Sequence, residues 1–270
     1  MCVGDSGGDA TASDSTTIAV GSDDDGMRVD ELGELLARRS ARLIYLCPDF
    51  QNPKGTTLSA ARRVELVEIA RRFGVPILED DPYGELRFEG EAPPAIASLD
   101  EDLVIRLGTF SKTLAPGLRI GWVHAPAPIV RKLTLLKQAA DLHTATLAQW
   151  ATAHLLGRFD FDGHVASLCA VYGRRRDAMI EALERALPPG CRFTRPDGGL
   201  FLWLKLPDGR RDEAVFHAAL ARGVAVVPGS GFFVGAAERG FLRLNFSNQR
   251  PEAIASGVIA LAAAIAEPAN

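Results

Sequence analysis

The sequence lacks the cysteine pairs, long apolar runs and strong net charge that mark several classes of protein. Its four cysteines are scattered with no Cys-x-x-Cys pair, which favours reduced cysteines over a disulfide framework. The longest uncharged apolar run, residues 253–266, is too short to cross a bilayer. A net charge of −4 indicates no nucleic-acid or membrane partner. Since the chain also shows no secretory signal, we expect a cytoplasmic protein.

Metal-ligand spacing is absent too. None of the five histidines stands at an interval typical of a metal site, so no metal is predicted. Three consecutive arginines, residues 174–176, lie in a helical pattern and are predicted to form a solvated face. Residues 1–17 are rich in Gly, Asp, Ser and Thr and contain little to bury, so we predict that they are disordered.

From residue 42 onward, apolar strand-like runs alternate with helical patterns. Runs at 43–46, 75–78 and 103–107 are separated by intervening segments, which predicts a mostly parallel sheet flanked by helices. After about residue 165 the pattern changes to one long helix followed by short strands and helices. We therefore predict the α/β class, with a large domain at 18–164 and a smaller C-terminal α+β domain at 165–270.

Polar side chains cluster just past the ends of these predicted strands. Asn52, Asp80, Tyr83 and Lys112 follow three different strands, and ligands of parallel sheets bind beyond the carboxyl ends of the strands. Lys112 stands among hydroxyl side chains in the stretch 108–119. A lysine amine forms a Schiff base with an aldehyde cofactor, and neighbouring hydroxyls suit a phosphate group. Taken alone, this stretch is equally compatible with a surface turn that carries a solvated lysine.

Four separated segments resemble the fold-type I pyridoxal-phosphate enzymes, in particular the class I and II aminotransferases. Within that group the chain is most similar to 2-aminoadipate- and aromatic-type transaminases and to related regulator domains. Lys54 is a departure, because the family usually has Thr there. The matching segments are 50–55 (FQNPKG), 79–83 (EDDPY), 109–119 and 242–246 (LRLNF).

The resemblance implies pyridoxal-phosphate-dependent transamination between an amino acid and a 2-oxo acid, in a homodimer. Lys112 is the implied Schiff-base lysine, which also moves a proton between the substrate and the cofactor. Asp80 is implied to face the ring nitrogen of the cofactor and keep it protonated. Tyr83 and Asn52 are implied to hydrogen-bond the cofactor's 3-oxygen.

The remaining implied residues bind charged groups. Thr109, Ser111 and Arg119 are assigned to the phosphate of the cofactor, and Arg243 to the α-carboxylate of the substrate. Within the predicted strand 241–246, Arg243 lies on the polar face, opposite the apolar side chains.

Members of the family carry a long segment before the position of Ile18, and it includes a further part of the phosphate site. Without that segment, the sheet is expected to leave strand edges and apolar surface uncovered. This leaves alternatives: an aminotransferase with a truncated start, an effector-binding domain of a transcription regulator, an inactive truncated remnant, or a lyase that uses the same cofactor. The sequence does not identify the amino donor.

Overall fold

The computed structural model describes residues 2–5, 16–235 and 238–267 of the chain. The chain divides into two compact units. The first contains residues 1–49, 57–85 and 91–166, and the second contains residues 50–56, 86–90 and 167–270. The sequence pattern suggests a single boundary near residue 165. It does not reveal that the two short segments 50–56 and 86–90 belong with the C-terminal part.

The first unit is built on a six-stranded mixed sheet with strand order β2-β1-β5-β6-β7-β8, next to the small hairpin β3–β4. Its strands are β1 (Cys2–Asp5), β2 (Thr16–Ala19), β3 (Ser22–Asp23), β4 (Gly26–Met27), β5 (Ala41–Leu46), β6 (Ile77–Asp80), β7 (Val104–Thr109) and β8 (Gly121–His124). Its helices are α1 (Val29–Arg38), α2 (Ala60–Phe73), α3 (Ala127–Asp141) and α4 (Thr146–Arg158).

Only the centre of this sheet is parallel. β5 pairs with β6 and β6 with β7 in parallel, whereas the pairs β1–β2, β1–β5 and β7–β8 are antiparallel. The α/β class with a sheet flanked by helices is confirmed, and the sheet is mixed because strands of opposite direction extend both sides of the parallel centre. The link from β6 to β7 contains a short 3-10 turn, Ile96–Ser98, and no α-helix.

The apolar core of the first unit forms where α1 and α2 pack on the central strands. α2 ends at Gly74, whose left-handed conformation and backbone N–H bonds to Ala70 O and Arg71 O close the last turn. Side chains with no solvent exposure in this core are Met27, Leu32, Ile44, Leu46, Leu66, Ala70, Ile77, Ile96 and Val104.

The prediction that residues 1–17 are disordered is wrong for the residues that the structure describes there. Cys2–Asp5 pairs with both β2 and β5, and Thr16 and Thr17 lie in β2. An exposed strand edge is a row of unpaired N–H and C=O groups that attracts any extended segment able to pair with it. β5 offers such an edge, and backbone pairing overrides the polar composition. Met1 and residues 6–15 lie outside the described residues.

The second unit packs three helices against a four-stranded antiparallel sheet of strand order β11-β12-β10-β9. The strands are β9 (Arg192–Phe193), β10 (Phe201–Lys205), β11 (Val227–Pro228) and β12 (Phe241–Asn245). The helices are α5 (Phe161–Ala186), which begins in the first unit, α6 (Asp212–Ala221) and α7 (Pro251–Ala266).

No helix among the described residues is long and apolar enough to span a membrane.

The predicted solvated face of three arginines is wrong for Arg176, which is buried in α5. Its guanidinium donates to Pro196 O at 3.0 Å and to Asp177 Oδ1 at 2.9 Å, and it also pairs with Glu89. Three adjacent helix positions point in different directions, because each residue turns the helix by about 100°. The run therefore cannot lie wholly on one solvated face, and Arg174 alone of the three is exposed.

Candidate active site

The parallel strands of the first unit end at one edge of the sheet, and polar side chains gather there. Asp80 is the last residue of β6 and Thr109 the last residue of β7. Tyr45, near the end of β5, donates a hydrogen bond of 2.7 Å from its Oη to Asp80 Oδ2. Lys112 follows β7 by three residues. The structure thus places a hydrogen-bonded carboxylate at the end of β6 and the predicted Schiff-base lysine just beyond the end of the adjacent β7.

The segment after β7 is braced by its own side chains. Thr109 Oγ1 donates to Ile120 O at 3.1 Å and accepts a bond of 3.1 Å from the Ser111 backbone N–H. The hydroxyls of Thr109 and Ser111 are 3.0 Å apart, so the two predicted phosphate ligands are adjacent. Lys112 is half-buried within this turn. A short braced turn holds the base of the lysine side chain in a defined place.

Arg119, the third predicted phosphate ligand, occupies a different environment. It is exposed, its backbone has φ 53°, and its Nη1 donates to Pro116 O at 3.3 Å. A positive φ is uncommon for a residue other than glycine and recurs at ligand-binding turns. The structure places Arg119 in the same loop as Lys112, with its guanidinium bonded to the backbone of that loop.

The start of α5 packs against the lysine turn. The ring of Phe161 meets the ring of Phe110 edge to face, with centroids 6.3 Å apart. His164 Nε2 lies 3.0 Å from the carbonyl oxygen of Thr113, the residue after Lys112. Thr113 itself is buried. These contacts restrain the backbone on both sides of the lysine.

A second turn carries the chain from Asp80 to Tyr83. Asp81 Oδ1 accepts the backbone N–H of Gly84 at 2.8 Å, and Asp81 Oδ2 accepts Arg106 Nη2 at 2.7 Å. Asp81 therefore closes the turn, and the Tyr83 that it positions is buried.

Glu79 lies beside Asp80 in β6 but points to the opposite, buried face of the sheet. It has no solvent exposure and accepts backbone N–H bonds of 2.9 Å from Ile96 and Ala97. Burial raises the pKa of the Glu79 carboxyl, and the two N–H bonds oppose that rise. Glu79 thus anchors the 3-10 turn, whereas Asp80 belongs to the open face.

Asn52 and Arg243 meet within the second unit. Arg243 Nη1 donates to Asn52 Oδ1 at 2.7 Å. The Arg243 guanidinium also lies over two aromatic rings, 4.4 Å from the centroid of Phe201 and 5.0 Å from that of Phe232. Stacking on these rings and the hydrogen bond to the Asn52 side chain hold the planar guanidinium in one orientation. Recognition of a carboxylate by two parallel hydrogen bonds requires such an orientation.

Sequence reasoning missed two features of these sites. Tyr45 stands within a predicted apolar run, although in the structure it lies opposite Leu78 and on the same face of the sheet as Asp80, two residues further along β6. The rings of Phe201 and Phe232 come from distant segments, and no spacing in the sequence connects them with Arg243. Among the described residues, no group of three or more His, Cys, Asp or Glu side chains has the arrangement of a metal site.

Residues 10–261 match the sequence profile of the family described as aminotransferase class I and II. The chain belongs to this family. Among its relatives is aromatic-amino-acid aminotransferase 1 of Thermococcus litoralis, which is 42% identical over 251 residues, covering 91% of this chain and 60% of the relative. The 2-aminoadipate transaminase of Thermus thermophilus is 38% identical over 252 residues, covering 92% of this chain and 63% of the relative.

The fold of a solved family member agrees closely. The crystal structure of the kynurenine aminotransferase of Pyrococcus horikoshii has a TM-score of 0.89 and 39% identity, covering 92% of this chain and 63% of that protein. The chain therefore has the fold of the class I and II aminotransferases over most of its length. It spans about three fifths of the length of these relatives.

Proposed function

We propose that this chain takes part in pyridoxal-phosphate-dependent transamination between an amino acid and a 2-oxo acid. The observation that carries the proposal is the strand-end arrangement in a member of this family, with an Asp80 carboxylate tethered by Tyr45 and Lys112 beyond the next strand. The side chains fit the cofactor chemically: a carboxylate suits a ring nitrogen, adjacent hydroxyls suit a phosphate, and an amine suits an aldehyde.

When bound, the cofactor supplies an aldehyde and an electron-withdrawing ring that makes the Cα proton of an amino acid removable. Lys112 would hold the cofactor through its ε-amine and would move a proton at the substrate Cα. Asp80 would hold a proton at the ring nitrogen. Tyr83 and Asn52 would hydrogen-bond the 3-oxygen.

The other polar side chains bind and orient charged groups. Thr109 and Ser111 bind the phosphate through their adjacent hydroxyls, and Arg119 joins them with its guanidinium. Arg243 binds the α-carboxylate of the substrate, and the rings of Phe201 and Phe232 support this role by fixing the guanidinium plane.

The proposal extends to assembly and location. Apolar side chains on the surfaces of α3 and α4 provide area that a homodimer can bury. The scattered cysteines, with no Cys-x-x-Cys pair, suit the reducing conditions of the cytoplasm. Sedimentation of the purified chain tests the assembly, and a single species with the 28.9 kDa mass of one chain would contradict the homodimer.

Chemical trapping tests the role of Lys112. The chain is incubated with pyridoxal phosphate, reduced with borohydride and digested, and the modified peptide is identified by mass spectrometry. We expect the label on Lys112 and its loss in Lys112→Ala, with no change in the control Lys137→Ala, whose lysine pairs with Asp141 on α3. Labelling spread evenly over the lysines would contradict the proposal.

A second candidate function is that of a cofactor-binding effector domain, which binds amino acids without turnover. A panel of amino acids added to the loaded chain separates the two functions. Release of a stoichiometric 2-oxo acid with conversion of the cofactor to its amine form supports transamination. Binding without 2-oxo acid supports the effector domain.

A further inference from the structure

We propose that Tyr45 is a positioning residue that orients Asp80 toward the ring nitrogen of the cofactor, an inference that rests on the proposed function. The Tyr45 phenol donates to Asp80 Oδ2 at 2.7 Å, a distance typical of a strong O–H···O bond to a carboxylate. Tyr45 lies outside every segment that carries the resemblance to the family.

The strand register explains why this tyrosine reaches this carboxylate. β5 and β6 pair in parallel with Tyr45 opposite Leu78. Since side chains alternate along a strand, Asp80 lies on the same face as Leu78 and therefore on the face of Tyr45. Glu79 and Ile77 point to the opposite face, where both are fully buried. Tyr45 and Asp80 thus share the open face, and the long phenol ring spans the two-residue offset between them.

This bond restricts how Asp80 meets a ligand. A carboxylate at a strand end can rotate about its side-chain bonds and present either oxygen. With Oδ2 bonded to Tyr45, that rotation is restricted and Oδ1 is the oxygen left to face the ring nitrogen of the cofactor. The phenol is a neutral donor, so it adds no charge that competes with the ring nitrogen for the carboxylate. Both effects favour a hydrogen bond from the ring nitrogen to Oδ1.

The test uses Tyr45→Phe, which removes only the hydroxyl, and Tyr172→Phe in α5 as the matched control. The dissociation constant of pyridoxal phosphate is measured for each 270-residue variant. We expect roughly tenfold weaker binding for Tyr45→Phe, as for loss of one hydrogen bond to a charged group, and no change for Tyr172→Phe. The measurement is repeated with a cofactor analogue that has carbon in place of the ring nitrogen. The dissociation constants of this analogue for the two variants and the wild type should agree within about twofold.

The analogue distinguishes positioning from general support of the fold. Equal weakening with both cofactors, or no weakening with either, overturns the role of Tyr45. If borohydride leaves Lys112 unlabelled in the wild-type chain, the proposed function fails and this role fails with it. If Lys112 is labelled in the wild type and Tyr45→Phe binds pyridoxal phosphate as tightly as the wild type, only the role of Tyr45 is overturned.

The hydrogen bond itself is tested without cofactor. Thermal unfolding is compared for Tyr45→Phe, Asp80→Ala and the double variant. If the bond is present in solution, Tyr45→Phe lowers Tm in the wild-type background and has little effect when Asp80 is already replaced. Equal Tm shifts in both backgrounds overturn the inference.

Discussion

Arg63 is a charged side chain with no solvent exposure, and its guanidinium ties three segments of the first unit together. It donates to Leu58 O and to Pro94 O at 3.0 Å each, and to the carboxylate of Asp49 at 2.8 Å. Asp49 follows the strand β5 that carries Tyr45. A buried arginine bonded in this way fixes the course of the chain between β5 and α2.

We predict that Arg63→Met destabilises the chain by about 3–5 kcal/mol, because it removes the cation opposite a buried carboxylate. The matched control is Arg71→Met in the same helix, since Arg71 is mostly exposed and pairs with Asp100 at the surface. That change should cost less than about 1 kcal/mol. Urea unfolding measures both. Similar costs for the two variants would show that burial of Arg63 does not set its contribution.

At the residue scale, sequence alone located the side chains that lie just beyond a strand and missed the contacts that cross between strands. Lys112 lies beyond the end of β7 as predicted, whereas Asp80 is the last residue of β6 itself, because β6 runs two residues further than the apolar run 75–78. Tyr45 bonds to Asp80 only through the register of β5 on β6, which no local pattern encodes. The catalytic and binding roles of these residues stay predictions.

The helix α6 is linked by its first residue to the loop before β12. Asp212 is buried and accepts the backbone N–H groups of Ser230 at 2.9 Å and Gly240 at 3.3 Å. Burial by itself raises the pKa of Asp212, but these hydrogen bonds outweigh burial and hold the pKa below its ordinary value of 3.8. The carboxylate form therefore stabilises the folded chain.

From this direction of shift we predict the pH dependence of Asp212→Asn. A depressed folded-state pKa stabilises the fold above the unfolded pKa and stops doing so as pH falls through the folded pKa. The free energy of unfolding of the wild type should exceed that of the variant by roughly 1–3 kcal/mol near neutral pH, and this difference should shrink as pH falls below about 3.8. Urea unfolding across this range measures it, and a difference that grows toward acid would contradict the assignment.

The turn into β10 depends on a glycine. Gly199 has φ +71°, and a Cβ there would lie 2.4 Å from the Cβ of the buried Phe50. Its N–H donates to Leu86 O at 2.8 Å. Gly199 thus allows the segments 50–56 and 86–90 to approach β10 within the second unit.

We predict that Gly199→Ala destabilises the chain by roughly 2–5 kcal/mol, combining left-handed backbone strain with a steric clash. Gly209→Ala is the control, because Gly209 has φ +81° but no described atom within 4 Å of the added Cβ. It should cost only the backbone strain, about 1–2 kcal/mol. Chemical unfolding compares them, and equal losses would mean that Phe50 moves aside without cost.

At the element scale, most strands and helices follow from the apolar patterns, with ends shifted by a few residues. The apolar run 253–266 lies in α7, and the alternation in 241–246 correctly separated Leu242 and Leu244 from Arg243. The strand β1 was not predicted, because its stability comes from pairing with β5 rather than from its own residues. Pairing along a strand edge depends on both segments, so the residues of either segment alone do not predict it.

At the scale of the whole chain, the sequence predicted uncovered apolar surface, and the first unit shows it around β8, α3 and α4. α3 buries none of its side chains, and β8 is exposed along its length at one edge of the sheet. The opposite side of the parallel centre is covered, since β1 and β2 extend the sheet beyond β5. The large exposed side chains on the two helices include Leu135, Leu136, Leu147 and Trp150, and Leu147 is 78% exposed.

We predict that this surface binds an apolar dye such as anilinonaphthalene sulfonate and promotes self-association of the isolated chain. Replacing Leu135, Leu136 and Leu147 by Lys should reduce the dye signal by more than half and shift sedimentation toward smaller species. Lysine and leucine have similar helix propensities, so circular dichroism should not change. The control Ile259→Lys, on an exposed position of α7, should alter the dye signal little. An unchanged signal in the triple variant would show that the face of α3 and α4 is already covered in solution.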